Sequence, residues 1–168
     1  MAIRTIRRLG NPVLRVRCRT IPRSAQAQRA RLARDLRDTL RDFHSRRGFG
    51  RGIAAPQIGV AMRAIYIEPQ IGGPMFNPRI VRRSRRTFLL WDDCFSFPEL
   101  LVRVRRHYSV VVAYEDHAGK RQTIKASGAL SELLQHEIDH VYGILTIDRA
   151  IDRKHIILRS QLKPDRQD

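Results

Sequence analysis

The chain has 168 residues, with 33 Lys plus Arg against 16 Asp plus Glu and six His, giving a formal charge of +17 at pH 7. A composition 42% hydrophobic and 29% charged is that of a globular protein, and a chain this long can bury roughly 70% of its unfolded surface, which excludes disorder throughout. No stretch approaches the roughly 18 consecutive apolar residues of a membrane span, so no membrane partner is expected. The two cysteines, Cys18 and Cys94, sit in a chain large enough to hold a core without disulfides, and they point to a reducing compartment.

Arg supplies 29 of the 33 basic residues, and no acidic residue precedes Asp35. An organelle transit peptide shares that bias. However, 3–6 and 13–16 read as structured segments around the turn signal Gly10-Asn11-Pro12, which favours a mature N-terminus. So large a charge raises affinity for nucleic acid or anionic lipid; a solvated Arg-rich surface is the plain alternative. No repeat, low-complexity run or linker rich in Pro, Gly or Ser divides the chain, so one domain, 1–168, is expected.

In chain order, Ser24 can N-cap a helix in which Leu32, Leu36, Leu40 and Phe43 recur at helical spacing, and Gly48 ends it. A Gly-rich turn then leads into Ile53-Ala54-Ala55-Pro56-Gln57, a short strand at 64–67, and turns at Pro69 and Gly72-Gly73-Pro74. Segments 87–91, 101–105 and 108–114 have strand composition, and Asp116 to Gly119 reads as a hairpin turn into 122–126. A second helix begins near Gly128 or Ala129 and stops at Gly143, a natural C′ residue. Helix, strands, helix is the order of an α+β fold with mostly antiparallel short strands.

The second helix carries His136-Glu137-Ile138-Asp139-His140, the pattern H-E-x-x-H. At 100° per residue the two histidines lie about 40° apart and one turn along, so both imidazoles can grip one metal ion, with Glu137 on the same side. Leu130, Leu134, Ile138 and Val141 form an apolar stripe on another face. Two histidines make an incomplete site. Cys94, in Asp92-Asp93-Cys94-Phe95-Ser96 between two strand segments, is the candidate third ligand, because a position beside two carboxylates ill suits an inert apolar filler.

Three segments resemble those of peptide deformylases. Gly50-Arg51-Gly52-Ile53-Ala54-Ala55-Pro56-Gln57 is similar to the family's G-x-G-L-A-A-P-Q, Cys94-Phe95-Ser96 falls where its E-G-C-L-S lies, and Gln135 to His140 reads Q-H-E-x-D-H, all in the family's order. Weaker likenesses lie at Gly10 to Arg15, Asn77 to Val81 and Gly143 to Arg149. The resemblance implies a deformylase-like fold built around a central helix carrying H-E-x-x-H. It implies removal of the formyl group from N-formylmethionyl nascent peptides, with Cys94, His136 and His140 holding one divalent ion. Fe(II) is the ion the family suggests, with Zn, Ni or Co as alternatives. Glu137 would shuttle the proton, and Gln57 and the backbone N–H of Phe95 would stabilise the oxyanion.

Gly52 and Arg51 would contact substrate, and Leu133, equally placed for a core role, would line the Met pocket. Asp92-Asp93 stands where the family has Glu-Gly, so Asp93 adds a Cβ and a negative charge expected to favour basic residues after the formyl-Met. The expected location is a bacterial-type cytoplasm, or an organelle. The +17 charge suggests contact with ribosomes or ribosomal RNA. Two rivals are a zincin-type metalloprotease, disfavoured by the thiolate and by the lack of a further Glu after the helix, where the lone His155 has no partner at ligand spacing, and a weakly active relative that binds RNA or a partner.

Overall fold

The computed structural model of the chain describes residues 3–162. Two α-helices, α1 (Gln26–Arg47) and α2 (Gly128–Val141), flank a succession of strands. These are β1 (Gly52–Ala54), β2 (Ala64–Ile67), β3 (Gly73–Arg83), β4 (Thr87–Asp92), β5 (Leu100–His107), β6 (Ser109–Glu115) and β7 (Arg121–Ser127), with β8 (Ile156–Leu158) after α2. They form a five-stranded sheet in the order β1-β2-β3-β6-β7 and a three-stranded sheet in the order β4-β5-β8. Every named strand pair is antiparallel. The α+β reading therefore holds, and β1 and β4 are each an edge strand.

The leucine stripe of α1 is buried as its spacing requires, and Gly48 closes the helix at φ 74, its N–H donating to the His44 carbonyl. Ser24 does not cap it. Ala25 occupies that position without a side-chain bond, because the chain enters through a turn in which the Ala25 N–H reaches the Pro22 carbonyl at 3.1 Å. Residues 3–6 adopt no regular element; Arg4 ties them to α1, its N–H donating to Thr39 Oγ1 at 2.9 Å and its guanidinium to Asp35 at 2.8 Å.

Strand β3 departs furthest from the sequence reading, since it begins within the Gly72-Gly73-Pro74 turn and runs through Pro74 and Pro78. Two prolines and an irregular pattern hide a strand that carries a bulge. The register shifts between Phe76 and Arg79, around Asn77 at φ 51, so Pro78 sits where the ladder is already broken. Asn77 repairs the break: its Oδ1 accepts from the Ile21 N–H and its Nδ2 donates to the Ile21 carbonyl, both at 2.9 Å.

Helix α2 packs against both sheets. Leu133, Leu134, Ile138 and Val141 join Ile65, Ile67, Met75, Val110 and Val112 in one core cluster, while Cys94, Phe97, Val102, Val104 and Leu145 form another beneath the three-stranded sheet. Gln135 fixes the helix in depth. Its Oε1 accepts from the His107 N–H at 3.0 Å and its Nε2 donates to the His107 carbonyl at 2.9 Å, locking α2 to the corner between β5 and β6.

Beyond α2, Gly143 turns at φ +76 against the N-terminal segment, and a Cβ there would lie 2.6 Å from the Arg15 carbonyl oxygen. Gly143→Ala adds left-handed strain to a backbone clash, and it is expected to lower unfolding stability by about 2 kcal/mol, or roughly 5 °C in Tm. Gly73→Ala, where a Cβ meets nothing within 4 Å, should change stability by less than about 0.5 kcal/mol. Calorimetry on the pair checks this.

Candidate metal centre

One turn of α2 brings His136 and His140 side by side, their Nε2 atoms 3.2 Å apart. The chain leaving β4 delivers Cys94 to the same point, with Sγ 3.3 Å from His140 Nε2. All three residues are buried, and these ligand atoms lie within 4.8 Å of one another. A thiol and two imidazole nitrogens aimed at one point, away from bulk water, are a donor set for a divalent transition ion. The residues present therefore fit the metal that the sequence implies.

A buried charge network orients this set. Asp92, the last residue of β4, places its carboxylate 3.0 Å from His136 Nδ1, which leaves Nε2 facing Cys94 and His140. Thr146 Oγ1 also reaches that Nδ1, at 3.2 Å. Arg106 of β5, only 3% exposed, donates to Asp92 at 3.0 Å and to Asp139 at 2.6 Å, and Arg149 meets Asp139 from the surface at 2.8 Å. Burial alone would push the Asp92 carboxyl up, but His136 and Arg106 together hold it below the usual carboxylate range. Burial opposes the imidazolium at both histidines. Asp92 overrides it at His136, whose pKa is raised, whereas at His140 burial and the neighbouring His136 both lower it.

Glu137 follows the first histidine and is buried with one oxygen, Oε2, lacking a hydrogen-bond partner among the described residues. Burial raises its pKa to about 7. Gly52 makes room for it: a Cβ on Gly52 would come within 2.8 Å of Glu137 Oε1 and 2.9 Å of Ile67 Cδ1. Across the site, Gln57 lies in a one-turn 3₁₀ segment, Ala55–Ile58, where its Oε1 accepts from the Ala54 N–H at 2.9 Å. That bond aims Nε2 toward Cys94 Sγ and Ser96 Oγ, at 3.6 and 3.5 Å. Phe95 stacks its ring on Phe43, centroids 3.8 Å apart. The N-terminal segment ties both sides together, Arg7 N–H donating to the Gln57 carbonyl at 2.7 Å and Leu9 N–H to the Ser96 carbonyl at 2.9 Å.

These groups border a cavity of about 270 Å³. One wall is the approach to β1 (Phe49, Gly50, Arg51, Gly52), the other is the end of β4 and the loop after it (Trp91 to Phe95), and α2 forms the floor with Glu132, Leu133, His136 and Glu137. Every site residue singled out in the sequence is thus brought together, His140 lying just behind the lining. Two of them meet partners that the sequence did not reveal. Arg51 donates to Glu132 at 3.0 Å. Asp93 is paired with Arg159 at 2.6 Å, so the cleft does not receive the isolated negative charge expected of that position.

Glu132 was missed, although its place one turn before His136 was a usable signal. Its carboxyl is pushed up to about 7, chiefly by burial and then by Asp92. Arg106, Phe49 and Arg159 had no local signal. They reach the site only through pairing and packing of distant segments.

The sequence profile of one family, described as polypeptide deformylase, matches residues 3–155. The peptide deformylase of Thermomicrobium roseum is 42% identical over 163 residues, covering 91% of this chain and 89% of its own. That of a Picosynechococcus species is 36% identical over 161 residues, covering 92% and 82%. Among solved structures, the peptide deformylase of Thermotoga maritima superposes with a TM-score of 0.82 at 28% identity, covering 90% of this chain and all of that one. The Synechococcus elongatus enzyme in complex with actinonin gives 0.83 at 29% identity, covering 92% and 82%. Matched across both its sequence and its fold, the chain belongs to the polypeptide deformylase family.

Proposed function

We propose that Cys94, His136 and His140 hold the metal of this deformylase, and that Glu137, Gln57 and the backbone N–H of Phe95 carry out its chemistry, the whole chain acting as one catalytic unit. As a family member the chain is a metal-dependent hydrolase that removes the formyl group from the N-terminal formylmethionine of nascent polypeptides. One observation carries the assignment of residues: a thiol and two imidazole nitrogens converge beside a buried carboxyl that has an unpartnered oxygen.

When bound, a divalent ion supplies Lewis acidity and brings the pKa of a water toward neutrality. The remaining work falls to the chain. Glu137, adjacent to a ligand without being one, takes the proton of the attacking water and passes it to the amine nitrogen as the formyl C–N bond breaks, so that formate and a free N-terminus leave. The Ala54 N–H holds Gln57 by its Oε1, and Gln57 Nε2 donates to the oxygen on which negative charge builds. The Phe95 N–H is the second donor. Leu133 offers apolar surface to the Met side chain.

Between the two edge strands β1 and β4 an extended peptide can add main-chain hydrogen bonds on either side, Arg51 and Gly52 on one and Asp93 on the other. A short methionyl N-terminus suits a cavity of this size.

Fe(II) is our choice of ion on the strength of the family resemblance; one thiolate with two imidazoles also suits Zn, Ni or Co. Anaerobic purification, metal analysis and turnover of a formyl-Met peptide test both activity and metal. Cys94→Ala and His140→Ala should lose stoichiometric metal, whereas Glu137→Gln should keep it and lose kcat by about 10²-fold or more. Full metal occupancy in Cys94→Ala would overturn the ligand set. Gly52→Ala should retain metal and lower kcat, because Glu137 must move to admit the new Cβ.

The exposed arginines, among them Arg82, Arg83, Arg85 and Arg86 on and after β3, suit a bacterial-type cytoplasm where substrates emerge beside anionic RNA. No helix among the described residues is long and apolar enough to cross a membrane. Sedimentation with ribosomes should fall steeply between about 50 and 200 mM salt. Lack of association at the low-salt end would leave these arginines as a solvated surface.

A further inference from the structure

The C-terminal segment sends one side chain to the mouth of the cleft. Arg159, just after β8, is held there four times over. Its backbone N–H donates to the Glu99 carbonyl at 2.7 Å and its Nε to the Pro98 carbonyl at 3.1 Å. Its Nη2 donates to Asp93 Oδ2 at 2.6 Å. Its guanidinium carbon sits 4.6 Å from the centroid of the Phe49 ring. Phe49 and Asp93 belong to opposite walls of the cavity, the approach to β1 and the exit from β4. Arg159 is therefore a strap across two walls that belong to different sheets, and it also neutralises the rim carboxylate of Asp93. Two contacts to carbonyls of the loop after Cys94 fix the strap to the segment that carries the ligand.

We propose that the Asp93–Arg159 pair is a specificity-determining device: Arg159 offsets the charge of Asp93 at the rim, so that Asp93 does not select nascent chains by the charge of the residues following the formylmethionine. The proposal rests on the cleft assignment above, in which the peptide leaves between these two walls. Half-exposed groups such as these, with side chains 40% and 36% exposed, feel solvent, so an unpaired member would bias peptides of opposite charge by only a fewfold. A rim carboxylate offset in this way suits an enzyme that must act on many N-terminal sequences alike.

The test compares kcat/KM for formyl-Met peptides carrying Glu or Lys at the next two positions, in the parent, Arg159→Ala, Asp93→Asn and the double variant. The parent should treat the two peptides alike within about twofold. Arg159→Ala, which leaves Asp93 unpaired, should favour the Lys peptide by about fivefold, and Asp93→Asn should favour the Glu peptide by a similar factor. The double variant should return to parity, and the biases should shrink as salt rises. A purely structural strap would change both peptides equally. Arg159→Lys, which keeps the cation and gives up the guanidinium fork and its stacking on Phe49, separates the two: parity in this variant supports the charge role.

An unchanged Lys-to-Glu ratio in Arg159→Ala overturns the proposal while deformylation of both peptides upholds the active-site reading. If the metal-loaded parent turns over neither peptide, that reading fails instead. The rim is then judged by binding of the same peptides to the four proteins, where equal affinity throughout overturns it.

Discussion

A guanidinium buried between two carboxylates sets the geometry on which the rest of the site depends. Arg106 rises from β5 into the space beneath α2, where Asp92 and Asp139 receive it from β4 and from the helix. An isolated cation at that depth would be prohibitively costly, and removing one partner from such a buried network typically costs about 3–5 kcal/mol. Strand, strand and helix must therefore assemble together. Asp92 faces two ways in this network: toward Arg106 it is a counter-ion, and toward His136 it is the acceptor that orients the ring. The same charge balance that closes the core under the three-stranded sheet thus points His136 Nε2 at Cys94 and His140.

The five-stranded sheet supplies the opposite side of the cleft, and there the controlling quantity is space. Glu137 can be buried beside β1 only because residue 52 has no side chain. Gly50, at φ +110, likewise lies against the Phe95 ring so closely that a Cβ would come within 2.2 Å of it. Glycine at these positions lets the backbone of β1 and of the turn before it approach both the Glu137 carboxyl and the loop carrying Cys94. The N-terminal segment holds the two sides in register through the carbonyls of Gln57 and Ser96. Arg8 adds a side-chain contact to this support, its Nη1 donating to the Phe95 carbonyl at 3.1 Å.

Much of this was legible without coordinates. Periodicity marked both helices, because the leucines of α1 and the apolar stripe of α2 each repeat at 3.6 residues and are buried, apart from the half-buried Leu130. H-E-x-x-H marked the candidate site, since two histidines one turn apart share one face of the helix. Strands with alternating or β-branched composition, β2 and β4 to β7, fell within a residue or two of their observed limits. Strand β3 did not, because a bulge at Asn77 and Pro78 destroys the alternation by which strands are recognised. Ser24 has the chemistry of a helix cap, yet the Pro22 turn placed it one residue too early.

By itself the sequence determined what depends on local spacing: the helix with its two histidines and adjacent acid, the small residues that precede Gln57, the cysteine between two strands, and the excess of positive charge. Tertiary structure alone decided what depends on segments far apart in the chain. Arg106 lies 14 positions from Asp92 and 33 from Asp139, and Arg159 lies 66 from Asp93. Which arginine among 29 meets which carboxylate follows from strand order and sheet packing, and no periodicity encodes it. The charge of Asp93 was readable as a departure in the sequence; its neutralisation was not, because long flexible cations choose partners by proximity in the folded chain.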